Sequence, residues 1–269
     1  MKLGIYIPCY NVAKSIKQVL FSFSDQVLDR VDEVVVVENC STDATLEILK
    51  EIQHSGTAVG RKLVVIKNHK NYGLGGSQKI GYQYLLDHQF THFLIVHGDG
   101  QGDGEEIARG FLSVYDQSTD IDVIIASRFM HQSDTRQYNR MRYIGNLFFN
   151  FLTYVLTGQK MTDSGAAIIF YRTAILNNFP FQHLTNSFQF NPQLNILLYG
   201  SGKLTIKEIP MKWVDSHDKS NISSLNYCLT LLSILLRYRM NKSLLRKKDW
   251  RLFHAVSQSF EPSYDVIKP

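Results

Sequence analysis

Several things are scarce or missing in the 269 residues. The three cysteines, Cys9, Cys40 and Cys228, are an odd and sparse set; they exclude a disulfide framework and suit a reducing cytosol. The longest apolar stretch, Tyr227 to Leu236, is about half of the roughly 20 residues needed to cross a bilayer. A membrane-spanning helix is thereby excluded, whereas lying on a membrane is not. No GxxxxGK[ST] loop, HExxH or GxSxG elbow occurs, and no GxGxxG follows the first strand. Phosphate-loop, zincin, esterase-type and dinucleotide-fingerprint readings therefore fall. Disorder is excluded as well, because 44% hydrophobic against 20% charged residues can bury enough surface to offset the ordering entropy. The first residues, MKLGIYIPCYN, meet Pro8 before any apolar core of signal-peptide length and are expected to form a strand.

Net charge is also scarce outside one place. Lys and Arg number 29 against 24 Asp and Glu, a formal net of +5. Residues 237–251 hold seven Lys/Arg and one Asp, so the rest of the chain, with 22 basic and 23 acidic residues, is close to neutral. Nucleic acid is not an expected partner. The basic tract follows the apolar helix face of 225–236, an arrangement expected of a segment, 224–251, lying on an anionic membrane surface. The expected location is cytoplasmic, peripheral at the inner face of the membrane.

What is present is alternation. Strands are predicted at Leu3–Ile7, Val31–Val37, Leu63–Ile66, Phe93–Val96 and Val123–Ala126, with helices between them at about 13–23, 43–52, 75–86 and 105–115. Runs such as Val34–Val37 are apolar on both faces, the mark of central parallel strands covered by helices on both sides. The expected fold is α/β, a doubly wound, mostly parallel, Rossmann-like sheet, with ligands beyond the C-terminal strand ends. A long aromatic helix (138–156), a strand (166–171), a helix near 192–199 and a strand pair around 204–213 follow. The aromatic stretch 143–154 is read first as a buried core helix, with a dimer or acceptor-lipid surface as alternatives.

Polar, Gly-rich and charged residues do gather after those strands. HGDGQ (97–101) puts Asp99 after a buried strand between Gly98 and Gly100, leaving room for a hard cation and a diphosphate, or simply forming a tight turn. It fails as an EF-hand, since Gly110 stands where a bidentate Glu is needed. In ENCSTD, Ser41, Thr42 and Asp43 suit a helix N-cap, whereas Glu38 and Asn39 are expected to point into the crevice towards a base or ribose. The glycines of NYGLGGSQKIG either present backbone N–H groups to a phosphate or permit close packing of strand and helix. Arg128 would aim a fixed cation at the same crevice.

Together these motifs, in this order, resemble the family 2 glycosyltransferases of GT-A fold, over about residues 3 to 220. The likeness is greatest to the branch of dolichyl-phosphate mannose or glucose synthases and bacterial cell-surface polysaccharide transferases. The resemblance implies that Pro8, Tyr10, Asn11, Glu38, Asn39 and Asp43 hold the nucleoside of a nucleoside-diphosphate sugar. Glu38 and Asn39 depart from the family's usual Asp-Asp. Gly73 and Gly75 would shape the loop over the nucleotide. Gly98, Asp99 and Gln101 match the DxD-type motif, with Asp99 on Mn²⁺ or Mg²⁺ and His97 in place of the first Asp; imidazole would favour Mn²⁺. Arg128 would neutralise the departing diphosphate, and Lys219 or His217 could engage donor or acceptor phosphate. No carboxylate stands in Phe188–Gln193, where relatives carry a base, so Asp163 supplies it or the acceptor is an ionised, lipid-linked phosphate, or activity is impaired. The last would make the chain a degenerate binding or scaffold subunit. A pyrophosphorylase is disfavoured, because PCYNVAKS is not the Gly-rich basic loop such an enzyme needs. Residues 1–223 are read as the catalytic domain, 1–130 its nucleotide-sugar half and 131–223 its acceptor half, and 224–269 as a basic amphipathic segment.

Overall fold

The computed structural model describes residues 1–179, 181–215, 224–240 and 260–269. The first half alternates as expected: β1 (Leu3–Cys9), α1 (Ile16–Ser22), α2 (Asp25–Leu28), β2 (Glu33–Glu38), α3 (Thr45–Gln53), β3 (Leu63–Asn68), α4 (Gly73–Asp87), β4 (His92–Ile95), α5 (Gly104–Gln117) and β5 (Val123–Ser127). The second half comprises β6 (Asp134–Gln137), α6 (Arg140–Thr157), β7 (Ile169–Arg172), α7 (Phe190–Gly200), β8 (Ile206–Pro210), β9 (Lys212–Val214), α8 (Ser224–Met240) and β10 (Tyr264–Ile267).

Eight strands form one sheet in the order β10-β3-β2-β1-β4-β7-β5-β8, in which only β7 and β10 run antiparallel to their neighbours. Successive residues of the central strands bury on opposite faces: Val35, Val37, Val64 and Ile66 in one core, Val34, Val36, Leu63 and Val65 in the other. Both faces are therefore covered, which is why those segments are apolar without alternation. On one face Tyr82 of α4 gathers Tyr6, Phe93, Tyr171, Phe181 and Phe190, with ring centroids 5.1–5.9 Å away.

Four expectations change. The two strands near 204–213 are not partners: β8 joins the main sheet beside β5, and β9 pairs with β6 in a separate two-stranded ribbon. The tail contributes β10, which adds antiparallel to β3 and is tied by Gln53 Nε2 donating to the Ile267 carbonyl at 2.9 Å. Helix α6 is not a buried core helix, since Phe148 and Phe151 are 56% and 59% exposed. Conversely, the apolar side of α8 turns inward, burying Leu231, Ile234, Leu235 and Tyr238, because it packs beside α6 and over the sheet. Residues 241–259, with most of the basic tract, lie outside the described residues. No described helix is long and apolar enough to cross a membrane.

The close seating of α4 on β1 depends on Gly81, where a Cβ would fall 2.3 Å from Tyr6 Cε2. Gly81→Ala is expected to cost about 1–3 kcal/mol through overpacking, read as a lowered urea midpoint with unchanged far-UV spectrum.

Candidate active site

Because β1 to β5 are mutually parallel, the loops after them share one edge. Since β7 is reversed, the residues before it reach the same edge, which brings Asp163-Ser164-Gly165 beside Ser127-Arg128. There Arg128 Nε donates to Asp163 Oδ2 at 2.7 Å, Nη2 to Oδ1 at 2.8 Å and the Arg128 backbone N–H to Oδ2 at 3.2 Å. The Asp163 side chain is 1% exposed. Burial works against the guanidinium charge, but Asp163 outweighs it and raises the Arg128 pKa. The rings of Phe129, Tyr138 and Trp213 flank it with centroids at 5.3, 5.9 and 5.3 Å. Asp163 is thus engaged on both oxygens, which is not the state of a general base awaiting a proton.

His97 follows β4 close enough to feel both Asp99 and Arg128. Burial lowers its pKa most, Asp99 opposes this and Arg128 adds to it. Its Nε2 is buried and has no hydrogen-bond partner among the described residues. Asp99 Oδ1 accepts from the Gln101 backbone N–H at 3.1 Å, closing a tight turn. Gln101 Nε2 reaches Asp215 Oδ1 at 3.5 Å, and Arg142 Nη1 donates to that oxygen at 2.7 Å. Among the described residues no cluster of three or more His, Cys, Asp or Glu side chains forms. An orphaned neutral imidazole beside a carboxylate fits a divalent cation with two protein ligands, the remaining positions falling to donor oxygens and water. The absence of a side chain at Gly98 serves packing: a Cβ there would lie 2.6 Å from Cys9 Sγ.

The residues after β1, β2 and β3 form a second, self-satisfied group, and this corrects the expected orientation of Glu38 and Asn39. Glu38 is 1% exposed and its Oε1 accepts from the Ser41 N–H. Asn39 Oδ1 accepts from Asn68 Nδ2 and from the Tyr72 N–H, both at 2.9 Å, and its Nδ2 donates to Asn71 Oδ1 at 2.8 Å. Neither side chain is left to reach into a crevice. Asn11, at φ +53°, accepts from the Thr42 N–H at 2.8 Å, and Asp43 accepts from Ala13 and Thr45 N–H at 3.0 Å. Pro8 is buried and Tyr10 exposed. Gly73 and Gly75 meet the chain at 185–186, where added Cβ atoms would lie 2.4 Å from the Asn186 carbonyl and 2.3 Å from that of Thr185. Lys219 and His217 lie outside the described residues.

A profile of glycosyl transferase family 2 matches residues 4–179. The chain belongs to this family. It is therefore a glycosyltransferase, and the strand-edge cluster is its candidate active site. UDP-N-acetylglucosamine–dolichyl-phosphate N-acetylglucosaminyltransferase of Methanococcus voltae is 23% identical over 218 residues, 78% of this chain and 84% of that protein. Undecaprenyl-phosphate 4-deoxy-4-formamido-L-arabinose transferase of Edwardsiella ictaluri is 25% identical over 213 residues, 78% of this chain and 59% of that protein. Among solved structures, mannosyl-3-phosphoglycerate synthase from Rubrobacter xylanophilus aligns over 99% of this glycosyltransferase and 86% of its own chain, with TM-score 0.66 at 15% identity. The mannosyltransferase PcManGT from Pyrobaculum calidifontis, in complex with GDP-Man and Mn²⁺, aligns over 91% and 64%, with TM-score 0.56 at 14% identity. At such identities the likeness is one of fold, and that fold is GT-A.

Two residues of the site escaped the sequence reading. Asp215 follows β9, whose last residue, Val214, donates its N–H to the Gln101 carbonyl at 2.9 Å and so brings Asp215 to the Gln101 side chain. Lys79, on α4, is buried without a carboxylate; its Nζ donates to the Leu184 carbonyl and, at 2.6 Å, to Asn186 Oδ1, fixing the segment on which Gly73 and Gly75 rest. Burial lowers the Lys79 pKa from 10.5 to about 8.

Two predictions follow from these buried charges. Asp163→Asn strands Arg128 and should cost about 3–5 kcal/mol by urea unfolding, whereas Arg128→Met combined with Asp163→Leu recovers most of it. For Lys79 the unfolded chain binds more protons between about pH 8 and 10.5, so this site's contribution to stability should rise with pH across that window. The rise should be absent in Lys79→Met, measured by urea midpoints at matched pH.

Proposed function

We propose that this glycosyltransferase moves a sugar from a nucleoside-diphosphate sugar to a lipid-linked phosphate, with Mn²⁺ or Mg²⁺ held at Asp99 and His97. The observation that carries the acceptor class is the Arg128–Asp163 pair. Transfer to a hydroxyl requires a base, and the carboxylate best placed for one is spent on a guanidinium. A phosphate is already ionised and needs none. The relatives that act on dolichyl phosphate and undecaprenyl phosphate support the same class of acceptor.

In this reading the loops after β1, β2 and β3 cradle the nucleoside through a backbone held rigid by Asn11, Glu38, Asn39 and Asp43. Asp99 and the neutral His97 would hold the cation, which supplies positive charge against the diphosphate as it leaves. Arg128, locked by Asp163 and three rings, keeps a fixed cation at the crevice wall. Gln101, Asp215 and Arg142 brace the turn that carries Asp99. Cell-surface polysaccharide or glycan synthesis is the pathway class this chemistry serves, and a peripheral position at the cytoplasmic membrane face fits its acceptor.

The test incubates the full chain with polyprenyl phosphate in detergent and UDP-, GDP- and dTDP-sugars labelled in the sugar. Label should enter a butanol-extractable lipid only with a divalent cation, and Asp99→Ala should lower the rate by roughly a hundredfold or more. Transfer to sugar hydroxyls alone, or turnover unaffected by chelation, refutes the reading.

A further inference from the structure

Helix α6 is apolar on two sides. Its inner side packs Phe149, Leu152 and Leu156 on the core, and its asparagines also face the protein: Asn146 Nδ2 donates to Tyr138 Oη at 2.8 Å, and Asn150 Nδ2 donates to the Thr162 carbonyl at 2.7 Å. Asn150 Oδ1 also accepts from Ser164 N–H at 2.9 Å. Its outer side is apolar. From residue 143 to 157 every exposed side chain is aliphatic or aromatic, namely Ile144, Leu147, Phe148, Phe151, Tyr154 and Val155. They cover three turns with no charge among them, whereas a helix facing water carries its polar residues on that side.

The charges at its margins identify the covering surface. Residues 138–160 and the neighbouring helix 224–240 contain Arg140, Arg142, Lys160, Arg237 and Arg239 and not one Asp or Glu. Arg142 holds Asp215, but apposing this face to a second copy would still bring like-charged ends together, since these two segments carry no Asp or Glu of their own. An anionic bilayer satisfies both features, taking the apolar residues at the depth of the acyl boundary and the basic margin at the headgroups.

We propose that the outer face of α6, edged by the basic ends of α6 and α8, is where this protein seats on an anionic lipid surface. The docking stands apart from the transfer reaction. Its consequence for the acceptor rests on the function proposed above: on the side of α6 opposite this face, Asn146 and Asn150 bond Tyr138 and Ser164 beside the Arg128–Asp163 pair. A phosphate carried by a lipid in that surface therefore meets the active-site edge across about one helix diameter, ~10 Å.

The experiment sediments the full chain with sucrose-loaded vesicles of phosphatidylcholine alone or mixed with phosphatidylglycerol. The wild type should bind the mixed vesicles and release partly in salt. Phe148→Ser with Phe151→Ser should weaken that binding by roughly tenfold or more, while Phe21→Ser, an exposed aromatic on α1, leaves it unchanged. Thermal melts confirm that both variants fold, as expected for exposed positions. Undiminished vesicle binding by the α6 double variant overturns the proposal. So does a wild-type dimer in sedimentation velocity that this variant converts to monomer while vesicle binding persists, since the face would then be a self-interface. Polyprenyl-phosphate transfer in detergent is measured separately, so loss of one reading leaves the other standing.

Discussion

Arg128 and Asp163 are 35 residues apart in the chain and share two short hydrogen bonds in a nearly water-free place. Ion pairs of this kind are demanding. Each charge gives up hydration on the order of several kcal/mol, regained only when geometry and secondary partners are right. Here the partners come from everywhere. The guanidinium leaves the end of β5, and the carboxylate precedes the reversed β7. One ring, Tyr138, stands between β6 and α6, and another, Trp213, lies on β9. The main sheet, the small ribbon and the approach to α6 thus meet at one charged contact, which ties the segments after β5 to the main sheet.

That contact also divides the strand edge into two kinds of surface. Beyond β1, β2 and β3, polar side chains tie neighbouring loops to one another: Asn39 alone engages Asn68, Asn71 and Tyr72. Such loops present a stiff backbone and a defined shape. Beyond β4 and β5 the side chains carry the chemistry, with Asp99 and Arg128 acting in opposite directions on His97. A glycosyltransferase needs both, a rigid cradle for the part of the donor that does not react and charge where the diphosphate departs.

Much of this was legible beforehand, for a physical reason. A parallel strand covered on both faces must be apolar throughout, so Val34–Val37 announced itself, and the strand-end rule then placed the polar clusters. The same rule locates a residue's Cα but not the direction of its side chain. Glu38 and Asn39 were expected to face a ligand, yet the backbone N–H groups of Ser41 and Tyr72 required acceptors, and local satisfaction won. Nothing local could reveal β10, because four residues at an edge acquire strand character only from β3 beside them. Asp215 was hidden likewise, its neighbour Gln101 lying more than a hundred residues upstream.

The misreading of α6 has a deeper cause. An aromatic-rich helix of 18 residues looks like core, and by composition it is. The loop carrying Asp163, however, leaves the Thr162 carbonyl and the Ser164 N–H unpaired by any strand, and buried backbone groups must find partners. Asn150 supplies both, and one turn earlier Asn146 donates to the Tyr138 hydroxyl. Once two asparagines on one side of a helix are committed inward, the 3.6-residue period leaves the opposite side no choice of direction. That side could have carried Lys and Glu, as on helices bathed in water; it carries Phe148 and Phe151 instead. The exposed apolar face is therefore joined to the site by construction. The residues that hold the Asp163 loop in place are the same ones that turn the aromatics out.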